Sequence, residues 1–186
     1  MNATILEFMN NNETIFSIKG ESSYEAFTEV EIIFYKEDKK YIVFRDFIIE
    51  GIKSLKISLI MALASKLKKS LDEKSFGLIW NEYCKNLNLD EIADDPIKLY
   101  HLWSTTVDNG IETWIYNSGE KIYIEISSMY RWNFDETDSI NLEKYEDFTK
   151  NYKPIAVLEI TKQTASCWLE KCEEILAKIK QISGFC

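Results

Sequence analysis

Two glutamates in the middle of the chain are the residues whose types and spacing could do chemistry. Glu112 and Glu125 lie in two alternating apolar segments, 111–116 and 121–126, which predict a β-hairpin closed around residues 117–120. In the register that aligns the apolar positions, the two glutamates face each other, and cross-strand neighbours lie about 4.5–5.5 Å apart at Cβ. Carboxyl groups this close drive each other's pKa values apart and could act as general acid and base, as in a retaining glycosidase.

The same two glutamates allow two further interpretations. Three aromatic side chains, Trp114, Tyr116 and Tyr123, share their predicted face. Aromatic residues beside carboxylates are typical of points at which a protein docks an arginine or lysine of its partner. Both carboxylates could also simply point into water, where screening weakens their repulsion. We expect Glu112, Trp114, Tyr116, Tyr123 and Glu125 to form a partner-binding surface, with carboxylate-dependent hydrolysis as the alternative.

Other catalytic and cofactor signatures are missing from the sequence. The six glycines are isolated, so neither a phosphate-binding loop nor a dinucleotide-binding motif is present. His101 is the only histidine, so a Ser–His or Cys–His mechanism would have to use it; Ser104 is predicted to share its helical face, although a histidine that packs within the fold is commoner. We expect no catalytic residue of a known type.

The four cysteines predict neither a metal site nor disulfides. They contain no CxxC pair, and Cys167 and Cys172 are too far apart around a helix to ligate one ion together. The N-terminal residues do not read as a secretion signal, so we expect free thiols in a reducing cytoplasm. We expect neither a metal nor a cofactor.

Hydrophobic periodicity predicts the elements that would position the hairpin. Before the hairpin, short strands are followed by helices, and after it come a short helix, a strand and a long amphipathic helix. The predicted strands are 4–8, 14–19, 26–35, 41–49 and 155–160. The first predicted helix has an apolar stripe that begins at Ile52 and continues through Leu55, Leu59, Leu63, Leu67 and Leu71. A short helix is predicted after Pro96, through Leu99 and Leu102. The other predicted helices are 76–87, 142–152 and 165–179.

This order of elements predicts an α+β protein with a mainly antiparallel sheet, helices packed on one face and a C-terminal amphipathic helix. A chain of 186 residues with 46% hydrophobic residues is suited to one core, and its two prolines and six glycines leave little material for a linker. We therefore expect a single globular domain over residues 1–186.

The negative charge is concentrated in one part of the chain. The net charge is −9, and residues 90–147 contain 14 acidic and 4 basic residues, whereas the remainder contains 17 acidic and 18 basic residues. A nucleic-acid-binding protein needs a basic surface, so nucleic acid is not expected as a partner. The longest apolar run is too short to span a bilayer, so a membrane is not expected either. A basic protein would be attracted by this charge.

Residues 114–176 resemble small immunity proteins of bacterial contact-dependent inhibition and related polymorphic-toxin systems. The similar features are Trp114 to Asn117 in the hairpin, Tyr152 to Pro154 before the next strand, and Trp168 in the final helix. The resemblance implies an acidic, cytoplasmic α+β protein that binds a cognate toxin domain, often a basic nuclease, and neutralises it by occluding its active site. Such families diversify their binding surfaces, so no residue role carries over.

The sequence therefore predicts an immunity protein that acts through protein binding. Two alternatives belong to other classes. One is a small carboxylate-dependent hydrolase that uses Glu112 and Glu125, and the other is a ligand-sensing or scaffold domain, which a buried apolar cavity would distinguish.

Overall fold

A computed structural model of the protein describes residues 3–21, 25–69, 73–85, 96–105, 110–130 and 143–183. These residues form two four-stranded antiparallel sheets in which the strands pair in chain order. Sheet I contains β1 (Ala3–Asn10), β2 (Glu13–Gly20), β3 (Glu29–Lys36) and β4 (Lys39–Phe47). Sheet II contains β5 (His101–Thr105), β6 (Ile111–Ser118), β7 (Lys121–Ser128) and β8 (Ala156–Ile160).

Within these ranges, four α-helices and one 3-10 helix accompany the sheets. They are α1 (Ile48–Leu63), α2 (Phe76–Lys85), the 3-10 helix Pro96–Tyr100, α3 (Tyr145–Lys150) and α4 (Lys162–Ser183). The α+β class, the antiparallel pairing and the C-terminal helix predicted from the sequence are confirmed. None of the described helices is long and apolar enough to cross a membrane.

One hydrophobic core is shared by both sheets and by helices α1 and α4. Phe16 of β2 is at its centre, because its ring contacts Phe34 of β3, Trp103 of β5 and Trp168 of α4 at centroid distances of 5.6, 5.3 and 5.9 Å. The long amphipathic stripe predicted for the C-terminal helix therefore packs on sheet I through Trp168, whose ring also contacts Phe8 of β1 at 5.5 Å. Burial of large aromatic rings gives such a contact much of its stabilising free energy.

Side chains also join the edges of the two sheets. Asn10 of β1 donates from Nδ2 to the carbonyl of Glu159 in β8 at 3.0 Å, and Trp168 donates from Nε1 to the carbonyl of Met9 at 2.8 Å. Lys36 of β3 donates to the carbonyl of Ile155 at 2.8 Å. The three bonds connect sheet I with β8, with α4 and with the residue that precedes β8.

Helix α1 is shorter than the leucine repeat predicts. It ends at Leu63, and Ser65 adopts a left-handed conformation with φ 53°. The amides of Ser65 and Lys66 donate to the carbonyls of Ala62 and Met61, which is the Schellman pattern of a helix end. The prediction that Leu67 continues the helical stripe is wrong, although its side chain is fully buried; Leu71 lies outside the described residues.

The segment after α1 is held to sheet II by Asn117 near the end of β6. The Asn117 amide donates to the Leu67 carbonyl at 2.6 Å, and the Asn117 carbonyl accepts from the Lys69 amide at 2.8 Å. Its side chain donates to the Ala62 carbonyl at 2.9 Å and accepts from the Leu67 amide at 3.3 Å. Asn117, which the sequence assigns to a loop, therefore joins α1, the following segment and β6.

Replacement of Asn117 by alanine is expected to lower the free energy of unfolding by about 2–4 kcal/mol, because it leaves the buried Ala62 carbonyl and Leu67 amide without their side-chain partner. Urea denaturation followed by circular dichroism measures this change. The control is Asn10→Ala, which removes an asparagine from a more exposed position and should cost clearly less. Equal effects of the two substitutions would contradict the role assigned to Asn117.

Candidate functional site

The register of the β6–β7 hairpin differs by two residues from the predicted register. The two turn residues are Gly119 and Glu120, with Gly119 at φ 59°, and Ser118 pairs with Lys121. The predicted turn, residues 117–120, includes Ser118, but the position that requires a positive φ is the glycine, which has no Cβ to oppose it.

The shift separates the two glutamates but keeps them on one face. Glu112 lies opposite Ser127, and Glu125 lies opposite Trp114. The prediction that Glu112 and Glu125 oppose each other is therefore wrong. Because the shift is an even number of residues, every side chain stays on its predicted face. Tyr116 lies opposite Tyr123.

The face that carries these residues is largely inside the protein. Glu112, Trp114, Tyr116 and Glu125 are buried, with Trp114 at 0% and Glu125 at 1% exposure, and Tyr123 alone of the five is partly exposed. Helix α2 and the 3-10 helix lie against this outer face of sheet II, while the opposite face contributes to the main core. The predicted role of these five side chains as an exposed partner-binding surface is thus contradicted for the four that are buried.

The Glu125 carboxylate binds the first turn of α2. Its Oε1 accepts from the Gly77 amide at 2.8 Å and from the Ser127 hydroxyl at 2.8 Å, and its Oε2 accepts from the Phe76 amide at 3.2 Å. The first amides of a helix have no partner within the helix and attract negative charge. A buried carboxylate is tolerated only when such donors satisfy it. Glu125 and the start of α2 therefore supply each other's missing interactions.

Asn81 makes a second polar connection between α2 and β7. This fully buried side chain donates to the Gly77 carbonyl at 2.7 Å and to the Ser128 carbonyl at 3.2 Å, and it accepts from the Tyr130 amide at 2.7 Å. A Cβ at Gly77 would lie 2.3 Å from the Cβ of Ser127. The approach of α2 to the strand is so close that only glycine fits at this position.

Aromatic rings fill the space between α2 and the sheet. Phe76 stacks on Trp114 at a centroid distance of 5.6 Å and contacts Tyr100 at 4.6 Å and Tyr116 at 5.5 Å. The Lys69 ammonium group lies 5.2 Å from the Phe76 ring and 5.0 Å from the Tyr116 ring. A cation over desolvated aromatic faces is attracted by their quadrupoles. This small cluster is separate from the main core.

The single histidine is paired with the other glutamate. His101 lies at the start of β5 rather than in a helix, and its Nε2 is in hydrogen-bond contact with Oε2 of Glu112. Its ring also packs edge-on against Trp114 at 5.0 Å. The helix predicted through Leu99 and Leu102 is wrong beyond Tyr100, because the chain becomes strand β5 at His101.

The described cysteines are free thiols in unequal surroundings. Cys167 is exposed, Cys84 is half-buried and Cys172 is buried. Burial, aided by the nearby Glu112 carboxylate, raises the pKa of the Cys84 thiol to about 11, and burial raises the pKa of Cys172 to about 12. The thiolate is the nucleophilic form, so these surroundings suppress reactivity at both positions. Cys186 lies outside the described residues.

The predicted site is thus a buried contact between α2 and strands β6 and β7. Within the described ranges, no group of three or more His, Cys, Asp or Glu side chains is suited to a metal ion. Glu112 and Glu125 are both engaged by neighbours. Sequence reasoning missed the part that α2 plays, and in particular Phe76 and Asn81. The sequence contains one signal that this hairpin is covered on both sides. Residues 111–126 carry aromatic side chains on one face and isoleucines on the other, as strands do that are buried on both faces.

Comparisons of the chain with protein-family models, with curated proteins and with solved structures found no match.

Substitution Glu125→Gln is expected to lower the free energy of unfolding by about 2–4 kcal/mol, because the amide removes the charge and turns an NH₂ group toward the helix amides. Equilibrium denaturation in urea measures the loss. The control is Glu120→Gln at the exposed hairpin turn, which should leave the unfolding midpoint unchanged. A Glu125→Gln protein as stable as the parent would show that this carboxylate does not hold α2.

Alkylation should distinguish the three described thiols. At pH 8, iodoacetamide is expected to modify Cys167 first, whereas with a pKa of about 11 only about one Cys84 thiol in a thousand is ionised. The rate at Cys84 should rise about tenfold per pH unit between pH 7 and 9.5, and Cys172 should react only after unfolding. Mass spectrometry of peptides locates the label. Alkylation of Cys84 as fast as that of Cys167 at pH 7 would contradict these surroundings.

Proposed function

We propose that this chain is a cytoplasmic immunity protein that binds a cognate basic toxin domain and neutralises it by occluding the active site of the toxin. The observation that carries the proposal is the concentration of negative charge in residues 90–147, whose exposed carboxylates in the described part of the chain include a group around α3. The resemblance of residues 114–176 to immunity proteins supports the same function.

The surface around α3 replaces the surface expected from the sequence. Glu143, Glu146 and Asp147 are exposed there, and the partly exposed rings of Tyr145 and Phe148 lie among them. We call these five residues the α3 corner; the exposed Lys144 and Lys150 belong to the same segment, so residues 143–150 carry three acidic and two basic side chains. Carboxylates attract a basic partner over a distance and accelerate its association, and aromatic side chains provide area that is buried on contact.

Two described residues that contact this corner, Lys85 and Tyr130, are each followed in the sequence by an acidic stretch. Lys85, the last residue of α2, forms an ion pair with Glu146 at 3.4 Å, and the Tyr130 hydroxyl donates to the Glu143 carbonyl at 3.0 Å. Residues 86–95 and 131–142 follow Lys85 and Tyr130 directly and contain seven acidic residues and one basic residue; their structure lies outside the described residues.

The chemistry of the buried glutamates also favours binding over hydrolysis. A general acid and a general base need a shared cleft in which a substrate reaches both groups. Glu125 is engaged by two backbone amides and a serine hydroxyl, and Glu112 is paired with His101. These two carboxylates have structural partners, which leaves the exposed ones around α3 for recognition.

Co-expression tests the proposed function directly. The probe is the C-terminal domain of a secreted protein encoded immediately upstream of this chain, expressed in a bacterial host with and without the chain. We expect the domain to arrest growth alone and the chain to restore growth and to co-purify with it. Growth arrest that the chain does not relieve, or the absence of any such upstream protein, would contradict the proposal.

Charge reversal locates the surface once that domain is in hand. The triple variant Glu143→Lys, Glu146→Lys and Asp147→Lys is expected to slow association at least about tenfold at low salt and to flatten its salt dependence. Surface plasmon resonance measures both effects.

The control variant carries the same change in net charge at exposed positions remote from α3, namely Glu13→Lys, Glu170→Lys and Glu174→Lys. Because local charge steers a partner more strongly than total charge, the control should associate faster than the α3 variant. Equal association rates for the two variants would place the interface elsewhere.

A further inference from the structure

Phe27 is the most exposed of the large apolar side chains in the described part of the chain, at 68%. Its ring packs edge-on against Phe47, the residue before α1, at a centroid distance of 5.4 Å. The Ile48 amide donates to the Thr28 carbonyl at 2.9 Å, so the backbone beside Phe27 is held against the start of α1. A single exposed apolar side chain is common on protein surfaces, so the charges around it decide what it means.

The residues around Phe27 carry negative charge. Residues 25–29 and 46–50 contain four acidic residues and no basic residue, and all four acidic residues are exposed. The basic residues nearest to these ranges in the sequence are paired with carboxylates. Arg45 is bonded to Glu31, and Lys53 lies 3.7 Å from Glu50. We call the following residues the Phe27 patch: Glu25, Phe27, Glu29, Asp46, Phe47 and Glu50.

A second exposed apolar side chain, Leu99, lies among positive charges. It is 50% exposed in the 3-10 helix, and the Tyr100 hydroxyl donates to the Lys68 carbonyl at 3.0 Å, so this helix lies against the segment that follows α1. Lys66, Lys68 and Lys98 are exposed there, and none of the three forms an ion pair within the described residues. We call Lys66, Lys68, Lys98 and Leu99 the Leu99 patch.

The sequence around the Leu99 patch is basic over two short ranges. Residues 64–69 and 96–99 contain four basic residues and no acidic residue. Acidic residues flank these ranges in the sequence, and of them Glu73 alone lies within the described residues. The Leu99 patch is therefore opposite in charge to the Phe27 patch, and each of the two patches includes one apolar side chain that is at least half exposed.

The two patches lie at opposite ends of α1. Phe47 directly precedes the helix, and Lys66 follows its last residue, Leu63, by three positions. A helix of 16 residues is about 24 Å long, because each residue adds about 1.5 Å along the axis. Acidic residues near a helix start and basic residues after its end also complement the helix dipole. The dipole does not account for the exposed apolar side chain in each patch.

We propose that this protein associates with itself head to tail, so that the Phe27 patch of one copy contacts the Leu99 patch of the next. The contact buries two apolar side chains and sets carboxylates of one copy against lysines of the next. Because the two patches differ, a pair of copies still presents one free patch of each kind, and further copies add until a ring closes. Neither patch contains a residue of the α3 corner, so self-association is a property beyond the proposed function.

Sedimentation velocity of the complete chain at low salt tests the association. A contact with one apolar anchor on each side is weak, and we expect a Kd on the order of 0.1 mM, so that the average mass rises between about 10 µM and 1 mM protein. An increase in NaCl from about 0.05 to 0.5 M should weaken the association, because salt screens exposed charges. Protein that remains monomeric over this concentration range at low salt would refute self-association.

The variants Phe27→Ser and Leu99→Ser test which surfaces meet. Each is expected to weaken self-association at least about tenfold, because each removes the apolar side chain from one of the two patches. The matched control is Ile57→Ser, which replaces a side chain that is 63% exposed within α1 and belongs to neither patch, and which should associate as the parent does. All three positions are exposed, so the thermal unfolding midpoints should stay close to that of the parent.

A mixture of the two variants tests the head-to-tail arrangement. Phe27→Ser keeps an intact Leu99 patch, and Leu99→Ser keeps an intact Phe27 patch, so one contact can form between them and no further copy can add. Phe27→Ser with a dye on the exposed Cys167 is expected to reach the mass of two chains in excess Leu99→Ser. In excess unlabelled Phe27→Ser it should remain monomeric.

Three results would refute the pairing of these patches. Leu99→Ser that associates with itself as strongly as the parent would show that Phe27 contacts another surface. A mixture that remains monomeric, or that grows beyond two chains, would contradict the head-to-tail contact, and so would an equal loss of association in Ile57→Ser. None of these measurements involves a toxin, so failure of self-association and failure of the proposed function are separable.

Discussion

The contact between the Glu125 carboxylate and the first turn of α2 determines what the outer face of sheet II can be. Without it, β6 and β7 would present two carboxylates and several aromatic rings to water. With it, the same residues form the floor of a second, smaller core. A buried carboxylate and helix amides without partners each cost free energy. The contact removes both costs, because the carboxylate gains hydrogen-bond donors and the amides gain an acceptor. Gly77 and Asn81 depend on the same close approach, which a side chain larger than hydrogen at position 77 would prevent.

The strands of sheet I, the β6–β7 hairpin and helix α4 could be predicted from sequence because their signals are local. Alternation along 26–35 and 41–49 identifies two strands, and the stripe through Ala165, Trp168 and Cys172 identifies the buried side of α4. The same local reading failed after Leu63, since the leucine spacing continues while Ser65 turns the chain and Asn117 captures the next residues. A bond between residues 55 positions apart leaves no periodic trace in the sequence.

The five residues of the candidate site share one face, as the sequence predicts, but four of them are buried. An even shift in register leaves Glu112, Trp114, Tyr116, Tyr123 and Glu125 on one face, so their proximity could be read from alternation alone. Helix α2 covers this face through a tertiary contact between Gly77 and Glu125, which are 48 positions apart. The hydrophobic periodicity of the sequence carries no information about a contact over that separation. In the proposed function, recognition by exposed charge is therefore assigned to the α3 corner, because α2 covers the aromatic face.

The outer face of sheet II depends most directly on the contact between Glu125 and the start of α2, and the amide proton of Gly77 reports on this contact. In an ordinary first turn this proton has no acceptor and exchanges with solvent rapidly. Residue-resolved hydrogen exchange by nuclear magnetic resonance should find the Gly77 amide as protected as the amide of Ile79, which bonds to the Ser75 carbonyl at 3.1 Å. A Gly77 amide that exchanges like an unpaired first-turn amide, beside a protected Ile79, would contradict the account.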